Sequence, residues 1–476
     1  MSSVQHLKVG GALIAALAVM ASPAAARQQD GPVVDALIEV LVAQGTITRQ
    51  QADDLLQAAR TRASAGASSA PPAVAAAPSV PPVPTAPVRP AAPDLEIDWS
   101  EGSPEFSGED SAFRTRGRIL ADGQSTFGSE ADGRNITTTG ARALRLGVEG
   151  VYKTNVFYQF EADFADGQTE VTSAYFGWRQ KLGDDVTTEI NVGSRLTERG
   201  IDGSTGSDQT PFLERNAVGV GLIPVKGFFG IGLTSKTFGP NWHFTAVAVG
   251  DPISGDSGRD DVITLMARGH WNPVITDRGF IHLGGWAFTE DFPDQLASLT
   301  VNTRVANRYN DVVRVNAGPL VNPDHTVAFG LEAGGVRDGL WTFAEYGERN
   351  IEFREGAPVD EARLKAWSVA AGWVLTGERA PFSRRGGTFG RLKVDHPITD
   401  GGRGALELLL RYDAFDYADA PQGAFGDTWT AGLNWYLNDL SRIMINVVHF
   451  DTDNVVGDVV GPDSGDSIGT RFQISF

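Results

Sequence analysis

From about residue 111 to the C terminus, apolar and polar side chains alternate in segments of about ten residues. Clusters of Gly, Asp, Asn and Ser separate these segments. In the segment 428–437, one parity holds the apolar set Trp429, Ala431, Leu433, Trp435 and Leu437. A period of two residues is typical of a β-strand with one apolar and one polar face. The pattern therefore predicts an all-β domain.

Sixteen segments carry this alternation, and each predicts one strand. They are 112–121, 141–150, 154–164, 169–180, 186–196, 225–235, 241–250, 261–271, 279–288, 325–336, 339–352, 362–375, 403–416, 427–438, 441–452 and 467–476. Short turns at 151–154 and 439–440 contrast with long connections at 122–140, 197–215, 289–324 and 376–402. In bacterial barrels the short turns face the periplasm and the long loops face outward. We therefore expect all four long connections at the outer end.

Three features favour a transmembrane barrel over a secreted sandwich or β-solenoid. The segments have about the 9–11 residues that a tilted membrane strand needs. Aromatic residues mark the ends of the apolar faces, as membrane-interface girdles do: Trp178, Trp242, Trp271, Trp429 and Trp435. The chain also begins with an export signal and has no apolar run long enough for a membrane helix. Because lipid cannot bond an open sheet edge, we predict a closed, 16-stranded antiparallel transmembrane β-barrel with a water-filled lumen.

The N-terminal segments precede this barrel. Residues 1–26 form a signal peptide with an apolar core at 12–20 and an Ala-rich cleavage site. Residues 27–62 show helical spacing of apolar positions and predict a short helical hairpin that either resembles a coiled coil or acts as a tether. Residues 63–95 are rich in Ala and Pro and predict a linker to the barrel domain, 96–476.

Composition excludes several functions. The chain has 476 residues, 56 Gly and no Cys, and 40 basic against 59 acidic side chains give a net charge of −19. That balance argues against nucleic-acid binding, and the lack of Cys excludes disulfides and thiol chemistry. The seven histidines fall one per segment, outside any nucleophile motif, so we expect no catalytic residue, no enzyme activity, no cofactor and no metal. The Asp/Gly-rich loop 251–261 is more typical of a solvated loop than of a calcium site.

Arginines on the polar parity predict chemistry in the lumen. Arg114, Arg116 and Arg118 share one face of the first strand, and guanidinium groups cannot face hydrocarbon cheaply. Their forked donors suit phosphate or carboxylate. Alternatively, they pair with acidic neighbours and stiffen the wall. On the other strands, the polar parity also places five arginines in the lumen: Arg145, Arg195, Arg268, Arg411 and Arg471. It places six acidic side chains there as well: Glu149, Glu161, Asp163, Glu189, Glu407 and Asp413.

Several motifs within 111–476 carry a family likeness. They are Gly117-Arg118 with Asp122, the segment 142–150, Phe212-Leu213-Glu214-Arg215, the segment 404–408 with Arg411-Tyr412, the segment 432–438 and the terminal Phe476. In these motifs the chain resembles the phosphate-selective porins of the porin O and P family. It departs from the family pattern at Ala143, where an arginine is usual, and across 193–199.

The resemblance implies a trimeric porin whose third loop folds inward and whose arginines lead phosphate or polyphosphate to a constriction. By motif it makes Arg118, Arg142 and Arg145 channel arginines, with Arg215 closing the loop 197–215. Parity instead places Arg142 on the face of Leu144 and Leu146, so either Arg142 is interfacial or the strand register slips at this position. The candidate anion pathway comprises Arg114, Arg116, Arg118, Arg142, Arg145, Arg195, Arg199 and Arg215.

The sequence thus predicts a passive diffusion channel in the outer membrane of a Gram-negative bacterium. We expect a homotrimer surrounded by outer-membrane lipid that passes small, phosphate-like anions. Three alternatives remain open: a general porin, an organic-anion porin without phosphate selectivity, and a structural outer-membrane anchor.

Overall fold

A computed structural model describes residue 49 and residues 95–99, 102–255 and 259–476. The predicted signal peptide, helical hairpin and linker lie outside the described residues, apart from Arg49 and Leu95. Those three assignments therefore stay predictions. Within the described ranges, no helix combines the length and the hydrophobicity that a membrane span requires.

Sixteen antiparallel strands form the barrel, and each overlaps one predicted segment, so the predicted fold is confirmed. They are β1 (Ser111–Phe127), β2 (Thr137–Tyr152), β3 (Val156–Asp163), β4 (Glu170–Lys181), β5 (Thr187–Leu196), β6 (Phe229–Phe238), β7 (Trp242–Val249), β8 (Thr264–Thr276), β9 (Gly279–Asp291), β10 (Pro323–Arg337), β11 (Leu340–Phe353), β12 (Glu361–Val374), β13 (Ala405–Asp416), β14 (Ala424–Tyr436), β15 (Ser441–Asn454) and β16 (Gly461–Ser475).

Each strand pairs with its neighbours in sequence, and β16 closes the sheet by pairing with β1 from Ser475 opposite Arg118 to Asp466 opposite Phe127. Closure leaves no edge exposed to lipid. Inside this seam, Arg471 Nε and Nη2 donate to the two carboxylate oxygens of Asp122 at 2.6 and 2.7 Å. Both side chains are fully buried, so the pair holds the closing strands from within the lumen.

Alternation decides which side chains face outward. Leu408 and Leu410 on β13 and Phe472 on β16 are about half exposed or more, on the outer face of the barrel. Four of the five predicted girdle tryptophans are also exposed: Trp178, Trp271, Trp429 and Trp435. The outer face is therefore apolar, as contact with lipid requires.

A short hairpin precedes the barrel. Its strands, Glu96–Asp98 and Glu105–Ser107, pair with each other, and the second also pairs with the beginning of β1. Three single-turn 3₁₀ helices lie in connections of the barrel, at Asp132–Arg134, Ala165–Gly167 and Ile398–Asp400.

The third loop, 197–228, lies in the lumen and contains the short helices α1 (Ile201–Ser204) and α2 (Ala217–Gly221). Because β6 begins only at Phe229, this loop is longer than the predicted 197–215, and Arg215 lies within it rather than at its end. The backbone amides of Ile201 and Asp202 donate to the Glu345 carboxylate on β11 at 2.7 and 3.3 Å. These bonds anchor the loop to the opposite wall.

The fifth loop, 292–322, adds a hairpin of two strands, Ser298–Arg304 and Arg314–Val321. Val301 and Val315 of this hairpin are buried in the largest apolar cluster, together with Leu222 of the third loop. The hairpin therefore also packs inside the barrel rather than extending from it.

One connection lies at the end opposite to the predicted one. Residues 375–404 join β12 to β13, and this junction is at the same end as the short turns 338–339 and 437–440. The predicted outer loop 376–402 is therefore wrong in position, because length alone does not determine the end at which a connection lies. The segment includes two paired short strands, Phe382–Ser383 and Thr388–Phe389.

Residues 375–404 fold into the lumen, where Phe389 joins Ile201, Phe212, Trp341 and Phe343 in a buried apolar cluster. Arg268 on β8 donates to the carbonyl oxygens of Gly386 at 3.2 Å and Gly387 at 2.6 Å. This segment is called the turn-end plug below. The plug and the third and fifth loops fill the part of the lumen beside β8–β13.

Candidate functional site

Arg114, Arg116 and Arg118 face the lumen from β1, as parity predicts, and each binds a carboxylate. Arg114 Nε donates to Glu149 at 2.6 Å, and Arg116 Nη1 donates to the other oxygen of Glu149 at 2.5 Å. Arg116 also lies 3.3 Å from Glu161. The first-strand ladder is therefore largely neutralised by its neighbours.

A buried ion-pair network extends this ladder. Arg118 lies 3.2 Å from Glu161 and also binds Asp208 of the third loop. Arg145 on β2 binds Glu161 at 3.1 Å and Asp163 at 2.8 Å. The alternative interpretation, in which lumen arginines pair with acidic neighbours, describes these four arginines well.

Arg142 is an exception, and a β-bulge explains it. Leu120 on β1 pairs with Ala143, but the next residue, Ala121, pairs with Ala141, so Arg142 is the extra residue on β2. A bulge lets two residues oppose one and re-aims a side chain. Arg142 therefore lines the lumen cavities instead of the lipid face. Of the two alternatives for Arg142, the structure supports the slip in register and not the interfacial position, and the placement implied by motif agrees with it.

Arg195 and Arg215 are held by aromatic rings. The Arg195 guanidinium lies 4.9 Å from the ring centroid of Tyr175, and that of Arg215 lies 4.4 Å from the centroid of Phe228. Arg215 also donates to the carbonyl oxygens of Asp202 and Thr205, at 3.0 and 2.6 Å. A ring face stabilises a guanidinium without cancelling its charge.

Arg199 has a different environment from the other candidates. It is 3% exposed, and its guanidinium donates to the carbonyl oxygens of Leu222 at 3.1 Å and Gly219 at 2.8 Å. It is not among the residues that line the cavities described below. This geometry makes Arg199 a residue that holds the third loop in shape.

Two adjoining cavities lie against the third loop. The larger cavity, of about 1020 Å³, is lined by β1–β6, the third loop and part of the loop 250–263. The smaller cavity, of about 500 Å³, lies between the third loop and the fifth-loop hairpin. A third space of about 320 Å³ begins at Tyr175 and Arg195, which it shares with the larger cavity, and extends to Arg114. The larger cavity and the third space lie along the β1–β6 side of the lumen, whereas the smaller cavity reaches from Arg142 to Arg349 on β11 and Asp413 on β13.

Three arginines belong to both large cavities: Arg142, Arg215 and Arg308. Within the described part of the chain, none of the three has a carboxylate oxygen within 4.0 Å, unlike the first-strand arginines. This set is called the arginine border below. Arg308 lies in the fifth loop, outside every recognised motif, and only the fold of that loop brings it here.

The cavities are basic although the whole chain is acidic. The larger cavity is lined by nine Lys and Arg side chains against five Asp and Glu, and the smaller by six Arg against Glu214 and Asp413. Asp413 is bound to Arg411 at 2.6 Å. Glu214 has no ion pair in the described chain, and one of its carboxylate oxygens is buried without a hydrogen-bond partner. Fixed positive charge therefore exceeds negative charge along this side of the lumen.

Lys226, on the third loop, also lines the larger cavity. Its ammonium donates to the Thr197 hydroxyl at 3.3 Å. Burial, with a smaller contribution from the positive charge of Arg199, lowers the pKa of Lys226 to about 7. This side chain therefore changes charge near neutral pH.

Three histidines that are far apart in sequence meet in the structure. His243, His270 and His282 lie on β7, β8 and β9, with ring centroids 5.3 and 4.8 Å apart in that order. All three are buried: His270 lies against the turn-end plug, His282 against the plug and Glu332, and His243 lies 3.5 Å from Glu198. One histidine per segment suggested scattering, but strand register aligns them. In the described ranges, no group of three or more His, Asp or Glu could hold a metal ion.

A closed barrel of sixteen strands with an apolar outer face and a charged lumen narrowed by inward-folded loops defines a porin of the outer membrane. A family model described as phosphate-selective porin O and P matches residues 113–476. The chain belongs to the phosphate-selective porin O and P family. This membership describes a channel rather than an enzyme.

Two relatives share part of the sequence. The chain is 28% identical over 468 residues to an uncharacterized protein of Caulobacter vibrioides, covering 91% of this chain and 89% of that protein. It is 25% identical over 260 residues to Porin O of Pseudomonas aeruginosa, covering 49% of this chain and 58% of that protein.

Solved barrels are similar at lower identity. The trimer form of OmpT of Vibrio cholerae aligns with TM-score 0.49 and 12% identity, covering 77% of this chain and all of that one. An anion-selective porin from Comamonas acidovorans aligns with TM-score 0.44 and 11% identity, over 77% of this chain and 100% of its own. At TM-scores below 0.5 these likenesses carry no conclusion about function or assembly.

Proposed function

We propose that this porin is a passive diffusion channel that prefers anions and accepts phosphate and polyphosphate. The observation that carries the proposal is the arginine border, three guanidiniums shared by both cavities without a carboxylate partner in the described chain. Such groups replace part of an anion's hydration, and charges from several sites let the ion move on without being trapped. Transport down a gradient needs neither a cofactor nor ATP.

The remaining candidate arginines have supporting roles in this proposal. Arg195 links the larger cavity to the space that extends to Arg114, so it continues the pathway toward the turn end. Arg116, Arg118 and Arg145 line the larger cavity while bound to carboxylates. We infer that they shape the wall and contribute a weaker field than the border.

Assembly and export complete the proposal. The family resemblance supports a homotrimer, and the Ala-rich site before Arg27 supports a cleaved signal peptide. Chemical crosslinking of the detergent-purified protein should give a trimer band, and N-terminal sequencing of the mature protein should begin at Arg27. A monomer band alone would remove the trimer from the proposal, while an intact N terminus would remove cleavage.

The test of anion preference is the reversal potential of purified protein in a planar bilayer under a potassium chloride gradient. We expect an anion-leaning potential and a chloride current that falls as phosphate is added. Arg142→Gln should shift the reversal potential toward cation preference, because it removes a positive charge that no carboxylate binds. The change in relative anion permeability should correspond to an energy on the order of 1 kcal/mol.

The matched control is Arg278→Gln, in the exposed turn 277–278 outside the lumen, where Arg278 pairs with Asp338. It removes the same charge from the molecule and should leave the potential unchanged. A cation-leaning wild-type potential would contradict the proposal. If the channel prefers anions but phosphate does not reduce the chloride current, the protein is a general anion porin and the proposed phosphate selectivity is wrong.

A further inference from the structure

The two cavities that share the arginine border differ in the rest of their walls. Beyond the border, the larger cavity presents mostly charged and hydroxyl side chains. The smaller cavity presents aliphatic and aromatic side chains that are only partly buried: Val220, Ile223, Val225, Phe228, Leu296 and Val305. Apolar groups that stay accessible inside a polar lumen are unusual unless something covers them.

These apolar groups come from two separate elements. Val220 lies in α2, and Ile223, Val225 and Phe228 follow it in the third loop, whereas Leu296 and Val305 belong to the fifth loop. Val220, Val225, Leu296 and Val305 pack against the buried apolar cluster, which supports this wall from behind. The result is a concave, apolar pocket with cations on one side.

The other arginines that line the smaller cavity already bind carboxylates. Arg304 and Arg314 bind Asp311 at 2.6 and 2.7 Å, and Arg349 binds Glu290 at 3.2 Å. The only lining guanidiniums in the described chain without a carboxylate partner are those of the border. A ligand anion would therefore sit at the border, and its remaining atoms would extend along the apolar wall.

We propose that the smaller cavity binds organic anions with an apolar body, of the class of aromatic and branched aliphatic monocarboxylates. The carboxylate accepts hydrogen bonds from Arg142, Arg215 and Arg308, and the body packs on Val225 and Val305. This inference rests on the proposed anion preference of the border and names a solute class for the adjoining pocket.

Size and solvation agree with this class. A volume of about 500 Å³ lies within the roughly 300–1,000 Å³ of small-molecule pockets, which combine apolar walls with a few fixed polar groups. Inorganic phosphate is hydrated on all sides, so an apolar wall would remove water from it without replacing the hydrogen bonds. Phosphate therefore fits the polar larger cavity, and an amphiphilic carboxylate fits the smaller one.

The experiment measures block of the chloride current through wild-type protein in a planar bilayer by benzoate, acetate and benzamide. Acetate has the carboxylate charge without the aromatic ring, and benzamide has the ring without the charge. We expect benzoate to reach half-block at a concentration at least about tenfold below acetate, which corresponds to roughly 1.4 kcal/mol. Benzamide should give no block in the same range.

The paired variant Val225→Thr/Val305→Thr tests the location of the apolar contact. Each substitution replaces one methyl with a hydroxyl of similar size, so benzoate block should weaken several-fold while phosphate block stays the same. Val327→Thr is the matched control, because Val327 on β10 faces lipid and is 44% exposed. This control variant should change neither the block by benzoate nor the block by phosphate.

The outcomes separate this inference from the proposed function. Equal block by benzoate and acetate in an anion-leaning channel overturns the inference and leaves the proposed function standing. A cation-leaning channel overturns the proposed function as well. Benzoate block that Val225→Thr/Val305→Thr does not weaken, in protein that still shows the folded, heat-modifiable gel band, removes the smaller cavity as the site.

Discussion

Two kinds of arginine occur in the lumen, and they differ in the neighbours that surround the guanidinium. Arg118 and Arg145 lie in a network with Glu161, so their charge is largely cancelled. Arg142 and Arg215 face cavities, and Arg215 rests on the Phe228 ring. An arginine is therefore available to a passing anion only where no carboxylate already binds its guanidinium. The number of arginines in the lumen does not determine this.

Glu214 offers a direct test of this residue-scale picture. It lies beside the arginine border, and its charge opposes that of Arg142 and Arg215. Glu214→Gln should raise anion preference by an amount on the order of 1 kcal/mol in relative permeability, since one negative charge leaves a partly desolvated site. Reversal potentials of the two proteins measure the change. An unchanged potential would show that ions avoid this part of the lumen.

Lys226 predicts a pH dependence. Because the pKa of Lys226 is lowered to about 7, its positive charge is present at about pH 6 and largely lost at about pH 8. Anion preference should fall as pH rises across this window. The substitution Lys226→Met should give a preference close to that of wild type at about pH 8, with a much smaller pH dependence. An identical pH profile in both proteins would assign the titration to another group.

At the residue scale, parity predicted lumen placement for most charged positions but not for Arg142, for which only the family motif implied it. Parity is reliable as long as the strand register is unbroken, and the bulge at Ala141 and Ala143 breaks it. No local feature of the sequence around Arg142 predicts that this residue is the extra one of a bulge. The bulge depends on how β2 meets β1, which is a pairing between two strands.

At the scale of elements, all sixteen strands were predictable because alternation is imposed by the membrane and the lumen on each strand separately. Connections were less predictable. The third loop extends to residue 228, because alternation does not fix where a loop ends. The position of 375–404 at the turn end follows instead from strand order, since this connection comes after the twelfth strand and the short turn at 153–155 comes after the second. The turn-end plug is held by Phe389 in an apolar cluster and by bonds from Arg268 to its backbone.

Gly387 tests how the plug is held. Its φ of +61° lies in the left-handed region, and a Cβ there would lie 2.6 Å from His270 Nδ1. Strain of this kind amounts to roughly 1–3 kcal/mol. Gly387→Ala should therefore loosen the plug and raise single-channel conductance in a bilayer. Gly390→Ala is the control, since an added Cβ would meet nothing within 4 Å. Equal conductance in all three proteins would mean that the plug does not limit the current.

At the scale of the whole molecule, the seam between β16 and β1 decides whether the barrel is closed. Arg471 and Asp122 form a bidentate pair across it, and both are fully buried. Removing one partner leaves an uncompensated buried charge. This pair therefore matters more to stability than an exposed ion pair would.

Arg471→Leu should lower the free energy of unfolding by roughly 3–5 kcal/mol, because Asp122 then stays buried without a partner. The midpoint of urea unfolding in detergent micelles, followed by the gel shift of the folded barrel, measures the loss. The double variant Asp122→Asn/Arg471→Leu should recover a large part of it, since the unpaired charge is gone. Equal loss in both variants would assign the effect to packing of the arginine stem.

The sequence by itself determined the strands and the basic character of the first strand, because alternation acts along each segment separately. Closure of the barrel followed, since lipid offers no partner to an open sheet edge. The tertiary structure alone decided which arginines remain unpaired, brought Arg308 beside Arg142, aligned three histidines and turned 375–404 into the lumen. These features depend on pairing and packing between segments that are distant in sequence. Alternation specifies only the face on which a side chain lies, whereas contacts across the lumen specify its neighbours.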